Sequence, residues 1–235
     1  MISPRRQSRE IALKAIYQAE INTCDKNESL KQVVIDTLYS PATETAVKEF
    51  LKSTKAQEIL SGEVEEFIPD FVDNISQTPY AESSDLLHMV KSNLEKHFPG
   101  VTVPESFQTE LTKLISLLGK HFEKPNAIES FSKEIVSKIS DNNSSIEKVI
   151  SSTTQNWSLD RMAAIDRCIL KIAVCEFFYF PTIPVKATIN EAIELAKKYS
   201  TDRSYEFVNG ILDKISKENK FIKESYKAPT SVKNC

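Results

Sequence analysis

Glycine is scarce in this 235-residue chain, which contains only four glycines. β-Hairpins bounded by glycine turns are therefore not indicated. The chain also lacks any run of about 18 apolar residues, so no transmembrane helix is expected. Its N-terminal residues have no apolar core of the kind found in secretory signals. With a hydrophobic content of 40% and a charged content of 27%, the sequence predicts a soluble, cytoplasmic globular protein.

Cysteine and histidine are also few, and neither has the spacing of metal ligands. Cys168 and Cys175 lie seven residues apart in a helical pattern, so we expect both to be buried on one face as reduced thiols. No histidine has a cysteine or a tight carboxylate cluster beside it. We therefore predict neither a metal site nor a cofactor. The other members of the two residue types are Cys24, Cys235, His88, His97 and His121.

The two signs of charge are unevenly distributed along the chain. Residues 25–125 contain 17 acidic and 10 basic residues, a balance of −7, whereas the rest of the chain carries +4. Arginine, which suits phosphate recognition and base stacking, is absent from the acidic middle. This segregation indicates that the two ends form a nucleic-acid surface. The six arginines are Arg5, Arg6, Arg9, Arg161, Arg167 and Arg203.

The first helix is predicted to begin with Ser3 as its N-cap and Pro4 at the first helical position. Arg5, Arg6 and Arg9 crowd its first turns, although the helix dipole favours anions there. Two interpretations stay open. The arginines form either a solvated basic end or an anion site in which free N–H groups and guanidinium groups together face phosphates.

Residues 189–215 have the most regular helical pattern in the chain. Apolar residues recur at i, i+3, i+4 and i+7 in two consecutive stripes that are joined by a short polar segment. Arg203 and Phe207 lie off the second stripe, which consists of Val208, Ile211, Leu212 and Ile215. An aromatic residue beside a cation, outside the core face, predicts a binding surface.

The longest apolar helix is predicted from Ser158 to the prolines that follow Phe180, and we expect it to be central to the core. Asp166 interrupts its apolar stripe. The carboxylate either pairs with Arg167 or Lys171, or marks the place where the apolar face opens to a partner. No second acid, histidine or nucleophile accompanies it, so no enzymatic site is predicted.

Three blocks of this sequence resemble the NusB family of bacterial transcription antitermination factors. They are RRQSREIALKAIYQAE, WSLDRMAAIDRCILKIAVCEF and IPVKATINEAIELAKKYSTDRSYEFVNGILDKI, with FSKEIVSKISDNNSSIEKVI as a weaker match. The resemblance covers roughly residues 1–23 and 126–218. It implies an all-α fold of two packed helical bundles, with extra helices from an insertion. It divides the chain into a first helix at 1–23, an acidic helical insertion at 24–125, the rest of the NusB-like domain at 126–220 and a tail at 221–235.

The resemblance also implies a function without catalysis. It predicts binding to boxA-type single-stranded RNA in nascent ribosomal transcripts, together with NusE, a small-subunit ribosomal protein, on elongating RNA polymerase. A homodimer is a further possibility. Aromatic residues and cations are what a single strand requires, for stacking of bases and for phosphates. Carried over position by position, the RNA surface falls on Arg5, Arg6, Arg9 and Phe207, with Arg203 nearby, and the NusE-facing surface on Tyr17, Asp160 and Asp166. Asn190 is interpreted as a helix cap and Gly210 as a site of close helix approach.

Some features depart from the family pattern and keep other functions open. The basic run is only Arg5-Arg6-Gln7, Lys138 stands where the family tends to have glycine, and the insertion is long. One alternative is the RNA-binding domain of a ribosomal RNA cytosine methyltransferase. We expect it to be wrong because only 20 residues follow Ile215, too few for a cofactor domain. The other alternative is a helical interaction protein that has lost RNA binding.

Overall fold

The computed structural model describes residues 3–52, 64–77, 83–98, 108–122, 127–154 and 161–218. Within these ranges the chain is helical and contains no β-strand, as the sequence predicts. The α-helices are α1 (Pro4–Asn22), α2 (Lys26–Val34), α3 (Ser40–Leu51), α4 (Val64–Ser76), α5 (Ser83–His97), α6 (Gln108–Phe122), α7 (Ala127–Thr153), α8 (Ala164–Tyr179), α9 (Val185–Tyr199) and α10 (Ser204–Glu218), and a π-helical turn (Ile35–Tyr39) joins α2 to α3.

The chain divides into two compact units. The first consists of Met1–Lys31 and Ala127–Cys235, and the second of Gln32–Asn126. The second unit therefore begins and ends close to the limits of the predicted insertion, although its status as an insertion stays a prediction. Its helices bury apolar residues at helical spacing, such as Phe71 and Ile75 on α4 and Leu111, Leu114 and Leu118 on α6.

Helix α8 is the centre of the first unit and packs against α1, α7, α9 and α10. Residues 168–177 are buried without interruption, so this helix has no solvent-facing side over nearly three turns. Its predicted central position is confirmed. Its predicted start is wrong, because Ala163 has an extended backbone (φ −55°, ψ 134°) and the helix begins at Ala164. Ser158, the predicted start, lies outside the described residues.

Helix α1 begins as the sequence predicts. The Ser3 hydroxyl accepts a hydrogen bond from the backbone N–H of Arg6 at 3.3 Å, and Pro4 is the first helical residue. The helix buries a continuous apolar face against α7 and α8. That face consists of Ile11, Ala12, Leu13, Ala15, Ile16 and Ala19. The start of α1 is thus fixed locally, and its orientation is fixed by burial of this face.

The predicted roles of Asn190 and Gly210 are wrong. Helix α9 begins at Val185, so Asn190 lies within the helix, where it cannot act as an N-cap. Apart from its two chain neighbours and the backbone of its own helix, a Cβ atom built on Gly210 would meet no described atom within 4 Å. Gly210 is exposed, so no close helix approach requires a glycine at this position.

Candidate nucleic-acid interface

Arg9 lies inside the first unit. Its Nε and Nη2 atoms donate to the two carboxylate oxygens of Glu176 at 2.6 and 3.0 Å. The Thr188 hydroxyl donates to the same carboxylate at 2.7 Å. The three side chains connect α1, α8 and α9, and only 5% of Arg9 and 1% of Glu176 is exposed. Arg9 was predicted to face RNA, but its guanidinium is turned towards the interior.

Arg6 is also held by a carboxylate within the chain. Its Nε and Nη2 atoms each donate to a carboxylate oxygen of Glu191 on α9 at 2.8 Å. These hydrogen bonds lower the pKa of Glu191 below the ordinary value for glutamate, against the opposing effect of partial burial. About a third of the Arg6 side chain, 34%, remains exposed. Arg6 can therefore meet a phosphate only while competing with its own carboxylate.

Arg5 is exposed and lies against an aromatic ring. Its Cζ atom lies 4.0 Å from the ring centroid of Phe131 on α7, which is the geometry of a cation–π contact. Phe131 in turn packs edge-to-face on Phe180, with centroids 5.5 Å apart. Arg5 has no ion pair among the described residues. Its charge is thus available at the surface, while the position of its guanidinium is restricted by the ring.

The second predicted half of the surface lies at the start of α10. Arg203 is exposed, and Phe207 is half-buried one helical turn later. The backbone N–H of Phe207 donates to the carbonyl oxygen of Arg203 at 3.4 Å. A separation of four residues places the two side chains on one side of the helix. Within the described part of the chain, the Arg203 side chain makes no salt bridge, so its full charge faces solvent.

Helix α9 connects the two halves. Arg6 of α1 binds Glu191, and Lys198 Nζ binds both carboxylate oxygens of Glu10 at 2.9 and 2.8 Å. Residue numbers rise together in the two pairs, so α1 and α9 run in the same direction. Helix α9 also packs on α10. The first and last helices are therefore connected through α9, by side-chain pairs with α1 and by packing on α10.

This arrangement determines how far apart the cations lie. About 12 Å of α9 separates the level of Glu191 from the end of that helix at Tyr199, at the rise of an α-helix. Arg203 lies four residues beyond that end. Lys14, which is exposed and one turn after Glu10 on α1, lies towards the Arg203 end. Lys14 was not among the predicted surface residues, although its spacing of four residues from Glu10 indicates that both lie on the same face of α1.

The predicted protein-partner residues do not form one exposed group. Tyr17 is 39% exposed, and Ile21, one turn later on α1, is 57% exposed. Asp160 lies outside the described residues. Asp166 is only 6% exposed, and its Oδ2 atom accepts a hydrogen bond from the Ser204 hydroxyl at 2.9 Å. A direct contact between Asp166 and a partner stays a prediction, while its observed partner lies within the chain.

The predicted pairing of Asp166 with Arg167 or Lys171 is wrong, because both cations bind Glu20 of α1. Arg167 Nε and Nη2 lie 3.1 and 2.9 Å from Glu20 Oε2, and Lys171 Nζ lies 2.5 Å from Glu20 Oε1. Lys171 also pairs with Glu147 of α7 at 2.8 Å. The two cations lower the pKa of Glu20, although burial opposes the shift. This cluster connects three helices, and Asp166 forms no ion pair with any cation among the residues that the structure describes.

The buried thiols behave as the sequence predicts. Cys168 and Cys175 are completely buried, and burial raises the pKa of each thiol to about 12. Across the described ranges, no group of three or more His, Cys, Asp or Glu side chains is placed to hold a metal ion. The helices in these ranges include none with the length and apolarity needed to cross a membrane.

Comparison with known proteins gives consistent matches. The model of the NusB family matches residues 101–217. The transcription antitermination protein NusB of Methylacidiphilum infernorum is 46% identical over 84 residues, which are 36% of this chain and 59% of that protein. The NusB protein of Elusimicrobium minutum is 47% identical over 87 residues, 37% of this chain and 62% of that protein. The chain thus spans about three fifths of the length of these relatives.

Solved structures show the same fold. The structure of T. maritima NusB has a TM-score of 0.52 and 23% identity, covering 97% of this chain and 100% of that one. A chain in a structure described as a plectonemic RNA supercoil has a TM-score of 0.52 and 16% identity, covering 92% and 96%. Helix α1 lies outside the range that matches the family model, so its site residues rest on sequence resemblance and on geometry.

Proposed function

Because residues 101–217 form a NusB-family domain, we propose that this protein is an RNA-binding transcription antitermination factor. It acts by binding and not by catalysis. The relatives that share this domain are named transcription antitermination proteins. The proposed ligand is a single-stranded RNA of the boxA type in a nascent ribosomal transcript.

One observation carries the proposal. Arg203, exposed and without a salt bridge in the described part of the chain, lies one helical turn from the half-buried ring of Phe207. A single strand needs cations for its phosphates and an aromatic face for an unstacked base, and each stacked base contributes roughly 1–3 kcal/mol. Arg5 supplies a second exposed guanidinium on the neighbouring part of the unit. Arg6 contributes less, because its Nε and Nη2 atoms already donate to Glu191.

The proposed partners follow from the same family membership. NusE binds at the exposed end of α1, where Tyr17 and Ile21 present apolar surface. The family resemblance assigns Asp160 to NusE binding as well. The heterodimer on RNA then joins the elongating RNA polymerase in the cytoplasm. Because α1 presents Arg5 near its start and Tyr17 near its end, RNA and NusE use different parts of one helix.

Binding of a fluorescein-labelled boxA-like RNA, measured by anisotropy at several salt concentrations, tests the proposal. Each lost phosphate contact reduces the slope of log K against log salt by about 0.7 for a single strand. Arg203→Ala and Arg5→Ala are each expected to reduce the slope by about this amount. Phe207→Ala is expected to weaken binding with little change in slope, because stacking releases no counterion.

Lys217→Ala is the matched control for Arg203→Ala. Lys217 is an exposed cation on α10, roughly 20 Å along the helix from Ser204 at 1.5 Å per residue. It removes the same charge without touching the proposed surface. Absent RNA binding, or binding that Lys217→Ala and Arg203→Ala weaken equally, would contradict the proposal. The first result would favour a helical interaction protein that does not bind RNA.

A further inference from the structure

Asp166 is a buried carboxylate that forms no ion pair with any cation in the described ranges. Its Oδ1 atom has no hydrogen-bond partner among the described residues, and its Oδ2 atom accepts from Ser204. The residue lies in the first turn of α8, where the helix dipole stabilises a negative charge. The nearby cations Arg167 and Lys171 are occupied by Glu20. Ser204 is therefore the only side chain that the described structure gives Asp166 as a partner.

Ser204 is the first residue of α10 and makes three side-chain hydrogen bonds. Its Oγ atom lies 2.9 Å from Asp166 Oδ2, 2.9 Å from Ser200 Oγ and 2.8 Å from Thr201 Oγ1. A hydroxyl has one proton and two lone pairs, and an ionised carboxylate can only accept. Ser204 must therefore donate to Asp166, while Ser200 and Thr201 donate to Ser204. All three positions of the Ser204 hydroxyl are filled, and their directions are fixed.

This network holds the segment between α9 and α10 against α8. Arg203 immediately precedes Ser204, and Phe207 follows one turn later. The positions of both side chains therefore depend on Ser204, whose hydroxyl is hydrogen-bonded in the interior. Burial favours retention of the Asp166–Ser204 bond, because a carboxylate left without its donor in the interior is costly.

We propose that Asp166 is a positioning residue for RNA binding: through the Ser204 hydroxyl it fixes the α9–α10 joint in the arrangement that presents Arg203 and Phe207 to a single strand. The inference rests on the proposed RNA-binding function. It gives the interruption of the apolar stripe a role that needs no direct contact with a partner protein. Asp166 thus affects the RNA surface from the interior of the unit, through Ser204.

The full-length protein and the fluorescein-labelled boxA-like RNA provide the test. Asp166→Ala and Ser204→Ala are each expected to weaken binding about tenfold, the effect of one lost hydrogen bond to a charged group. The double variant is expected to bind RNA no more weakly than the weaker-binding single variant, because each substitution removes the same hydrogen bond. Asp166→Asn keeps an amide oxygen for Ser204 and is expected to restore most of the affinity.

Two further readouts separate positioning from general damage. In the Arg203→Ala/Phe207→Ala background, Asp166→Ala is expected to cause little additional loss. Amide hydrogen exchange of residues 204–208 is expected to accelerate in Asp166→Ala. Ile150→Val, a substitution in the core on α7, is the control for destabilisation alone and is expected to leave RNA affinity unchanged.

Different results would overturn the role of Asp166 alone and the proposed RNA-binding function. RNA binding by the wild-type protein that both Asp166→Ala and Ser204→Ala leave unchanged would overturn the inference while the proposed function stands. Losses that add fully to those of Arg203→Ala and Phe207→Ala would also overturn it, because they would indicate an independent contact. No RNA binding by the wild-type protein would overturn the proposed function and this inference together.

Discussion

Replacing Arg9 with methionine is expected to destabilise the protein strongly without removing an RNA contact. The substitution keeps an unbranched, apolar side chain of similar length but removes the guanidinium. Glu176 then remains in the interior at 1% exposure with Thr188 as its hydrogen-bond donor. Breaking a buried ion pair by removing one partner costs about 3–5 kcal/mol, because it leaves an uncompensated charge.

This cost can be converted into a melting temperature. For a chain of about this size, 1 kcal/mol shifts Tm by roughly 2–4 °C. Arg9→Met is therefore expected to lower Tm by about 6–20 °C. Differential scanning calorimetry is the suitable assay, because the two compact units can unfold in separate transitions. Only the transition of the unit that contains α1, α8 and α9 should move.

A double variant tests whether the stranded carboxylate is the cause. Arg9→Met with Glu176→Gln removes both charges and retains an oxygen that accepts from Thr188. Replacing a buried pair by neutral groups is often close to neutral in stability, so the double variant is expected to recover at least half of the lost Tm. An unchanged Tm in Arg9→Met together with lost RNA binding in the folded protein would refute this reasoning and make Arg9 an RNA contact.

Three further predictions concern Glu191 and the thiols. Glu191→Gln removes the negative charge that pairs with Arg6. RNA affinity, measured by anisotropy, is therefore expected to rise, and the slope of log K against log salt is expected to steepen by about 0.7. Unchanged affinity and slope would mean that Arg6 does not reach the RNA. The pKa of Glu191 is lowered in the folded protein. The stabilising effect of the Glu191 carboxylate is therefore complete above the ordinary glutamate pKa and is lost as the pH falls through the lowered pKa. The melting temperatures of Glu191→Gln and wild type are expected to differ near neutral pH and to converge in acid. Cys168 and Cys175, with thiol pKa values of about 12, are expected to react with iodoacetamide only after denaturation. The exposed Cys24 is expected to react in the native protein. Labelling of either buried thiol in the native protein, detected by peptide mapping with mass spectrometry, would contradict their burial.

The features that sequence reasoning predicts well are local. Ser3 and Pro4 specify the start of α1 because the cap and the missing N–H act within one turn. The stripe of α10 specifies which side of that helix is buried, because helical periodicity determines it. The mostly apolar sequence of α8 indicates its central position, although Lys171 and Glu176 are buried with it. The exposed Arg203 and half-buried Phe207 were found in the same way, as residues that the stripe excludes.

The features that sequence reasoning misses depend on charges far apart in the chain. Arg5, Arg6 and Arg9 are equivalent as a basic cluster, yet Arg5 remains exposed, Arg6 binds Glu191 185 residues away and Arg9 binds Glu176 167 residues away. Helical spacing places Arg9 on the buried stripe of α1, because Ala12, Leu13 and Ile16 follow it at i+3, i+4 and i+7. No local pattern gives the partners of Arg6 and Arg9, because these are chosen by how α1 packs against α8 and α9. Asp166 is a similar case, since Ser204 lies 38 residues later.

The sequence by itself thus determines the helical class, the caps and the apolar faces of this protein, because these follow from periodicity and short-range hydrogen bonding. Its resemblance blocks also indicate the family. Only the tertiary structure decides which cations are free to meet a phosphate. That choice depends on which carboxylates come within hydrogen-bonding distance after the helices have packed, and the free energy of a buried charge then holds the chosen pairs in place.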